Sequence, residues 1–507
     1  MTTLDTAVPS VHTARRTDSL LDDLRSGTPW ALVFGGQGGA WLEPLADLVR
    51  DFALDAEVAD LARRADRMLA PVATELARVG VPFDPIAWVD VLAVGESAED
   101  DDAPGLPADV TSPAASVPGI VLAQLAGLKA LSRQGLDVNA HRPVAVAGHS
   151  QGVLAAEALS GVPEVEVLAL ARLIGAAAQV VGRRRGLLGD TMLSVSGVVP
   201  ERVEQIIEGT GSVCRIRNGR RSVVLSGSAS ALTAATARLE QVAAQEKDER
   251  ERKVTGGAPF APVIEPVGSA LAFHHPDLAA AADLVADWAG RIGIDTEHAR
   301  RTTERSIIDP VDWVSEVTGA LDAGAEWILD LGPGDLASRL SAPETRVRGV
   351  GIVAPTTRSG HRELTITGAR PVRPQAWSSF APRLATLPDG STAVETRFTR
   401  ATGKSPILLA GMTPTTVDAP IVAAAANAGF WAELAGGGQV TEEIFDARIA
   451  ELGSLLDEGA TFQFNSLFLD PYLWRLQLGQ NRLVQRARAA GAAIDAVIVT
   501  AGIPELD

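Results

Sequence analysis

Val144-Ala145-Val146-Ala147-Gly148-His149-Ser150-Gln151-Gly152 is the stretch on which the reading of this chain turns. Four small or β-branched apolar residues run into Gly-x-Ser-x-Gly, and Val153 to Leu159 then carries a helical pattern. A strand, a sharp turn and a helix meet at one serine. The flanking glycines let the backbone reverse without a Cβ clash, and the new helix begins with unpaired N–H groups that can face a developing oxyanion. The arrangement predicts a nucleophile elbow in an α/β fold, with Ser150 as the nucleophile.

Upstream, Ala31-Leu32-Val33-Phe34 reads as a second buried strand that runs into Gly35-Gly36-Gln37-Gly38-Gly39. These glycines lack the Gly-Lys-Ser/Thr ending of a P-loop and the spacing of a dinucleotide fingerprint. They predict instead a backbone-exposing turn at the carboxyl edge of a sheet, where α/β folds collect ligands. Residues 1–28 form a polar leader with one amphipathic piece, Leu20 to Leu24, and helical patterns continue through Arg78. Glu96 to Pro118, acidic and rich in Pro, Ser and Ala, reads as a surface loop. Ile120 to Arg133 is a long apolar-periodic helix, and Glu164 to Val181 a second helical region.

Residues 29–190 and 268–367 are two parts of one α/β core. Between them, 191–267 change texture: strand (Met192–Val198), helix (Glu201–Ile207), strand (Val213–Ile216), turn (Asn218-Gly219), strand (Ser222–Ser226), helix (Ala229–Ala244) and a last strand near Val263. This βαββαβ order predicts an inserted ferredoxin-like subdomain. The core pattern resumes with Trp327-Ile328-Leu329-Asp330-Leu331-Gly332-Pro333-Gly334. Residues 368–404, rich in Pro, Arg and Thr, read as a linker. From Ser405, strands at Pro406–Ala410, Ala432–Leu434, Thr461–Phe464 and Ala496–Val499 alternate with helical stretches. These are four steps of a (β/α) barrel that needs eight, which leaves open sheet edges within 405–507.

The net charge of −18 over 507 residues argues against nucleic acid as the main partner. Arg183-Arg184-Arg185 reads as a solvated helix end rather than an anion contact, and the mixed-sign run Glu246 to Lys253 as a solvated face. Apolar runs are broken by charge or glycine before the ~20 residues of a membrane span, and no apolar segment follows Arg15-Arg16, so neither membrane nor signal peptide is expected. A single cysteine, Cys214, fits a small buried strand residue in a cytoplasmic protein, and no metal site is expected.

A serine nucleophile needs a base. Of seven histidines, His12 lies in the leader, His141 precedes the elbow strand, and His298 and His361 fall in charged surroundings. His149 is too close in sequence for its ring to reach the Ser150 hydroxyl comfortably. That leaves Ala272-Phe273-His274-His275-Pro276, where the chain returns into the core, with His274 favoured over His275.

Phe34-Gly35-Gly36-Gln37-Gly38, Gly148-His149-Ser150-Gln151-Gly152, Ala272-Phe273-His274, Asp309-Pro310-Val311-Asp312-Trp313 and Leu331-Gly332-Pro333-Gly334 occur in the order seen in the malonyl/acetyl transacylase family. The resemblance covers roughly residues 28 to 350. It implies an α/β-hydrolase-like acyltransferase core in which Ser150 attacks an acyl thioester with His274 as general base. It further implies an oxyanion hole from the backbone N–H groups of Gln37 and Gln151, and a backbone carbonyl at Asp312 steadying the histidine. The acyl group would pass to the phosphopantetheine thiol of an acyl carrier protein. Family members that take malonyl groups carry an arginine whose matching position here is Ala177. An unpaired buried carboxylate costs several kcal/mol, so acetyl, delivered by acetyl-CoA, is the expected substrate, with Arg172 as an alternative clamp.

Residues 405–507 resemble the flavin-binding barrel of enoyl reductases and nitronate-oxidising enzymes, through Pro406-Ile407-Leu408-Leu409-Ala410-Gly411-Met412-Thr413-Pro414, Ala435-Gly436-Gly437-Gly438, Phe464-Asn465 and Val499-Thr500-Ala501-Gly502. The resemblance implies FMN contacts from the Gly411-Met412-Thr413 backbone and from Asn465 and Thr500. The order of the two parts is similar to that of bacterial and fungal type I fatty acid synthases, and the composition looks actinobacterial. The chain is therefore expected to be the N-terminal fragment of such a synthase, partnered by the remaining domains. No cofactor is expected for the acyltransferase; FMN and NADPH belong only to a complete enoyl reductase, whose turnover is not expected here. A serine thioesterase and a non-catalytic scaffold are the competing readings.

Overall fold

The computed structural model describes residues 18–37, 40–79, 110–252, 260–386, 392–402 and 404–502. Expectations for residues 1–17, Gly38, Gly39, 80–109 and Lys253 lie outside these. The chain divides into two compact units, Met1–Trp377 and Ser378–Asp507.

In the first unit the strands follow as β1 (Trp30–Phe34), β2 (Ala145–Gly148), β3 (Met192–Ser196), β4 (Val213–Gly219), β5 (Ser222–Ser226), β6 (Val263–Pro266), β7 (Val311–Asp312), β8 (Trp327–Asp330) and β9 (Gly351–Val353). A parallel sheet of order β2-β1-β8-β9 forms the core. Every residue of β1 is buried, as expected of a central strand covered on both faces. Helix Pro113–Arg133 packs on helix Glu164–Arg185. Gly175 permits this approach, since a Cβ there would lie 2.4 Å from the Pro113 carbonyl oxygen.

The first of these helices begins seven residues before Ile120, where a loop was expected. Pro113 at its start has no N–H to leave unpaired, and Ser116, Val117 and Pro118 are buried in the core rather than exposed. By length and composition both helices could cross a membrane, contrary to the sequence reading. However, 83% and 78% of their apolar windows are buried inside the protein, the setting of core helices. Arg183, Arg184 and Arg185 form the exposed last turn of the second helix, where cations complement the helix dipole.

Between β2 and β8, a second sheet has the order β6-β3-β5-β4-β7. Its β3 to β6 are antiparallel neighbours, with helices Pro200–Ile207 and Ala229–Arg252 following β3 and β5, and β7 adds in parallel to β4. The β4–β5 turn falls at Arg220-Arg221 rather than Asn218-Gly219, because two register shifts lengthen β4 to Gly219.

In the second unit, β10 (Arg383–Thr386) and β11 (Thr392–Glu395) form an antiparallel hairpin inside the stretch expected to be a linker. Then β12 (Leu408–Leu409), β13 (Trp431–Ala435), β14 (Phe462–Leu467) and β15 (Ile494–Thr500) form a parallel sheet in sequential order. Only two residues of the expected Pro406–Ala410 strand pair with β13.

Candidate active site

β2 ends at Gly148, and helix Gly152–Ala158 starts four residues later. Ser150, between them, holds φ at +54°, a left-handed conformation uncommon for a residue with a side chain. Both elbow glycines are required by close approach. A Cβ on Gly148 would meet the Val153 nitrogen at 2.3 Å, and one on Gly152 the Phe34 carbonyl oxygen at 2.4 Å.

His274 is fully buried, and its Nε2 lies 2.6 Å from Ser150 Oγ. On the far side of the ring, Nδ1 is 2.5 Å from the Asp309 carbonyl oxygen. A carbonyl can only accept, so Nδ1 carries the proton and Nε2 offers its lone pair to the serine, the tautomer a general base needs. The backbone at His274 is also left-handed, with φ +58°, and its N–H donates to Ile307 O at 2.7 Å. Such strain persists where surrounding contacts over-determine it. The carbonyl expected at Asp312 is therefore corrected to Asp309. Asp312 lies in β7, and its carboxylate caps the next helix through the Ser315 amide.

Burial pushes the His274 imidazole down to about 3, with the Asp309 bond opposing and the nearby charges of His149 and Arg215 adding to the depression. His149 and His275 are lowered as well, burial again leading. His274 thus stays an unprotonated base across the physiological range, and we expect no acid limb from it in a pH–rate profile between pH 5 and 8. The same shift makes stability fall on acidification. An unfolded histidine binds a proton near 6.5 while the folded His274 resists to about 3, so the folded state loses ground as pH drops through that window. Asp330, raised by burial to about 6 from 3.8, opposes this between those two values. Unfolding midpoints should therefore decline from pH 7 to 6, before Asp330 offsets the His274 contribution, and less steeply in His274→Gln.

Gln151 directly follows Ser150 and precedes the elbow helix, and Gln37, half-buried, follows Gly36, on which a Cβ would lie 2.9 Å from Ser150 Cβ, so each expected oxyanion donor is next in the chain to a residue at the nucleophile. The Gln151 side chain is fully buried with neither polar atom partnered. His149 turns from the serine: its Nε2 donates to Asn218 Oδ1 at 2.7 Å, and its ring meets Trp313 edge-on. Ala177 is fully buried in helix Glu164–Arg185. Arg172, the alternative clamp, is paired at 2.8 Å with Asp66. Arg215, which the sequence did not single out, stands at a register shift in β4 with its Nε buried and unpartnered. No group of His, Cys, Asp and Glu suited to a metal ion occurs among the described residues.

In the second unit, Gly411, Asn465 and Thr500 are gathered by a residue that sequence reasoning missed, Glu433. Its Oε2 accepts from the Gly411 N–H at 2.8 Å and from Asn465 Nδ2 at 2.7 Å, while Thr500 Oγ1 donates to Asn465 Oδ1 at 2.9 Å. The Met412 N–H donates to Thr416 Oγ1, and Met412 and Thr413 are exposed. The polar atoms expected to meet FMN are thus largely occupied by Glu433, by Thr416 and by the bond between Thr500 and Asn465, a poor fit to an open flavin site.

The first unit is, in class, a mixed α/β protein organised around a serine–histidine elbow. Residues 191–266 match the family model described as Fatty acid synthase central AT domain. Fatty acid synthase subunit beta of Saccharomyces cerevisiae is 28% identical over 361 residues, 62% of this chain and 17% of that protein. Fatty acid synthase beta subunit hexB of Dothistroma septosporum is 24% identical over 98% of this chain and 29% of its own length. The subunit beta of Gibberella zeae reaches 33% identity over 36% of this chain and 10% of its own. An acyl carrier protein S-malonyltransferase from Vibrio cholerae, with a solved structure, shares 19% identity over 64% of this chain and 97% of its own, at a TM-score of 0.47. The chain is similar to fungal fatty acid synthase beta subunits, and spans less than a third of the length of those it matches here.

Proposed function

We propose that the first unit is an acyltransferase of fatty acid synthesis that carries an acetyl group from CoA, through an ester on Ser150, to the phosphopantetheine thiol of an acyl carrier protein. The observation that carries this reading is the 2.6 Å contact between Ser150 Oγ and a His274 Nε2 whose tautomer is fixed by Asp309. His274 takes the serine proton as Oγ attacks the thioester carbonyl. The backbone N–H groups of Gln37 and Gln151 receive the oxyanion, and the proton returns to the departing CoA thiolate. Transfer to the carrier thiol reverses these steps. Residues 191–267, inserted in the core, are read as the ferredoxin-like subdomain of such enzymes. A buried alanine at 177 and an Arg172 already paired with Asp66 support an uncharged acyl group. Residues 405–507 are read as the start of a flavin-dependent enoyl reductase barrel, and no reductase step is assigned to this chain. The cytoplasm is the compartment proposed, with the other synthase domains as partners.

The test is intact-protein mass after brief incubation with acetyl-CoA or malonyl-CoA. An acetyl adduct at least tenfold more abundant than the malonyl adduct is expected. Equal malonyl loading would overturn the acyl preference and turn attention to Arg215. Free CoA released without an adduct would favour a thioesterase, and neither adduct nor release a scaffold.

A further inference from the structure

Gln124 is fully buried on helix Pro113–Arg133, within the run Ile120-Val121-Leu122-Ala123-Gln124-Leu125-Ala126. Its Nε2 lies 2.6 Å from the Gly35 carbonyl oxygen and 2.8 Å from that of Gly332, one N–H for each. Gly35 follows β1 and Gly332 follows β8, which are paired neighbours, and the Gly35 N–H itself donates to Gly332 O at 3.0 Å. Gly332 is held from its other side, because its N–H donates to Asp330 Oδ1 while Oδ2 of the same carboxylate takes the Ser338 N–H. One amide therefore ties two loops at the carboxyl edge of the sheet to a common, braced peptide.

Gly35 is two residues from Gln37, and the segment between is pressed on the elbow. The His149 N–H donates to Phe34 O, and a Cβ on Gly36 would lie within 2.9 Å of His149 and Ser150 atoms. A displacement of the Gly35 peptide is thereby passed to Gln37 with little slack. Stability alone is a poor account of Gln124. Its Oε1 is buried without a partner, a desolvation cost that an aliphatic side chain would avoid.

We infer that Gln124 is a positioning residue for acyl transfer, its amide fixing the Gly35 carbonyl so that the Gln37 N–H is aimed at the oxyanion formed on Ser150. This rests on the acyltransferase reading above. Glutamine suits the task because it is neutral, long enough to leave the helix, and presents two N–H donors on one atom.

The experiment is single-turnover acetylation of the full chain by acetyl-CoA, followed by mass, for the wild type, Gln124→Met and Gln124→Asn. Methionine keeps the length and removes both donors, whereas asparagine keeps the donors and shortens the reach. We expect Gln124→Met to acylate roughly 10- to 100-fold more slowly at saturation, with half-saturation by acetyl-CoA within about twofold of wild type and an equal or higher unfolding midpoint. Acylation of Gln124→Met at the wild-type rate would overturn the inference, as would a loss that disappears when rates are normalised to folded protein. Should Gln124→Met not fold, Gln124→Asn decides by the same two criteria. A wild type that is not acylated would instead overturn the acyltransferase reading on which the inference stands.

Discussion

With Ser150 replaced by alanine the chain is expected to take no acyl group from acetyl-CoA, and with His274 replaced by alanine to take it roughly 10²- to 10⁴-fold more slowly. The two losses have different causes. Ser150 supplies the atom to which the acyl group is bonded, so its removal leaves no ester to form. His274 supplies only a lone pair, and a residual rate survives on binding and on the oxyanion donors. Cys214 is a poor substitute nucleophile, since burial and the neighbouring Glu204 push its thiol up to about 12 despite the opposing charge of Arg217. An adduct that persists in Ser150→Ala, located by peptide mass, would place the acyl group elsewhere and remove the serine from the mechanism.

Gly152→Ala is expected to cost ~3 kcal/mol or more, enough to leave much of the first unit unfolded. The added Cβ would lie 2.4 Å from Phe34 O and 2.8 Å from Phe34 C and Gly35 O. All three are main-chain atoms at the end of a central strand, so no flexible side chain is there to yield. Gly319 in helix Trp313–Asp322 provides the control: a Cβ there meets nothing within 4 Å, and Gly319→Ala should be neutral or stabilising by about 0.5–1 kcal/mol. The denaturant midpoint should fall in Gly152→Ala while holding or rising in Gly319→Ala, and similar falls in both would refute the steric account of the elbow.

The elbow was legible in the sequence because its requirements are local: glycines two residues either side of one serine, a strand before and a helix after. His274 was legible for a weaker reason, as one of few histidines at a return into the core. Its main-chain partner was not. Asp309 and Asp312 are three residues apart, and a carbonyl oxygen carries no side-chain signature, so only the path of the chain between Ile308 and Val311 decides which one faces the ring. The bracing residues were hidden in another way. Gln124 and Glu433 are single polar residues in apolar runs, and their partners, Gly35 and Gly332 for one and Gly411 and Asn465 for the other, are distant in sequence. An amide isolated between Ala123 and Leu125 was a usable signal, since burying it demands a reason. The helix starting at Pro113 was misplaced because proline and serine mark loops and first turns alike.

The bond from His149 to Asn218 bears on how such chains can be recombined. Asn218 belongs to the segment that interrupts the core, while His149 belongs to the turn that carries the serine. A chimera that exchanged residues 191–266 for those of a relative would import, along with a surface module, the acceptor that orients the residue next to the nucleophile. Crossover points chosen at the tidy ends of that segment would therefore still cut through the support of the elbow, and donors should be selected for an amide at position 218 before overall similarity.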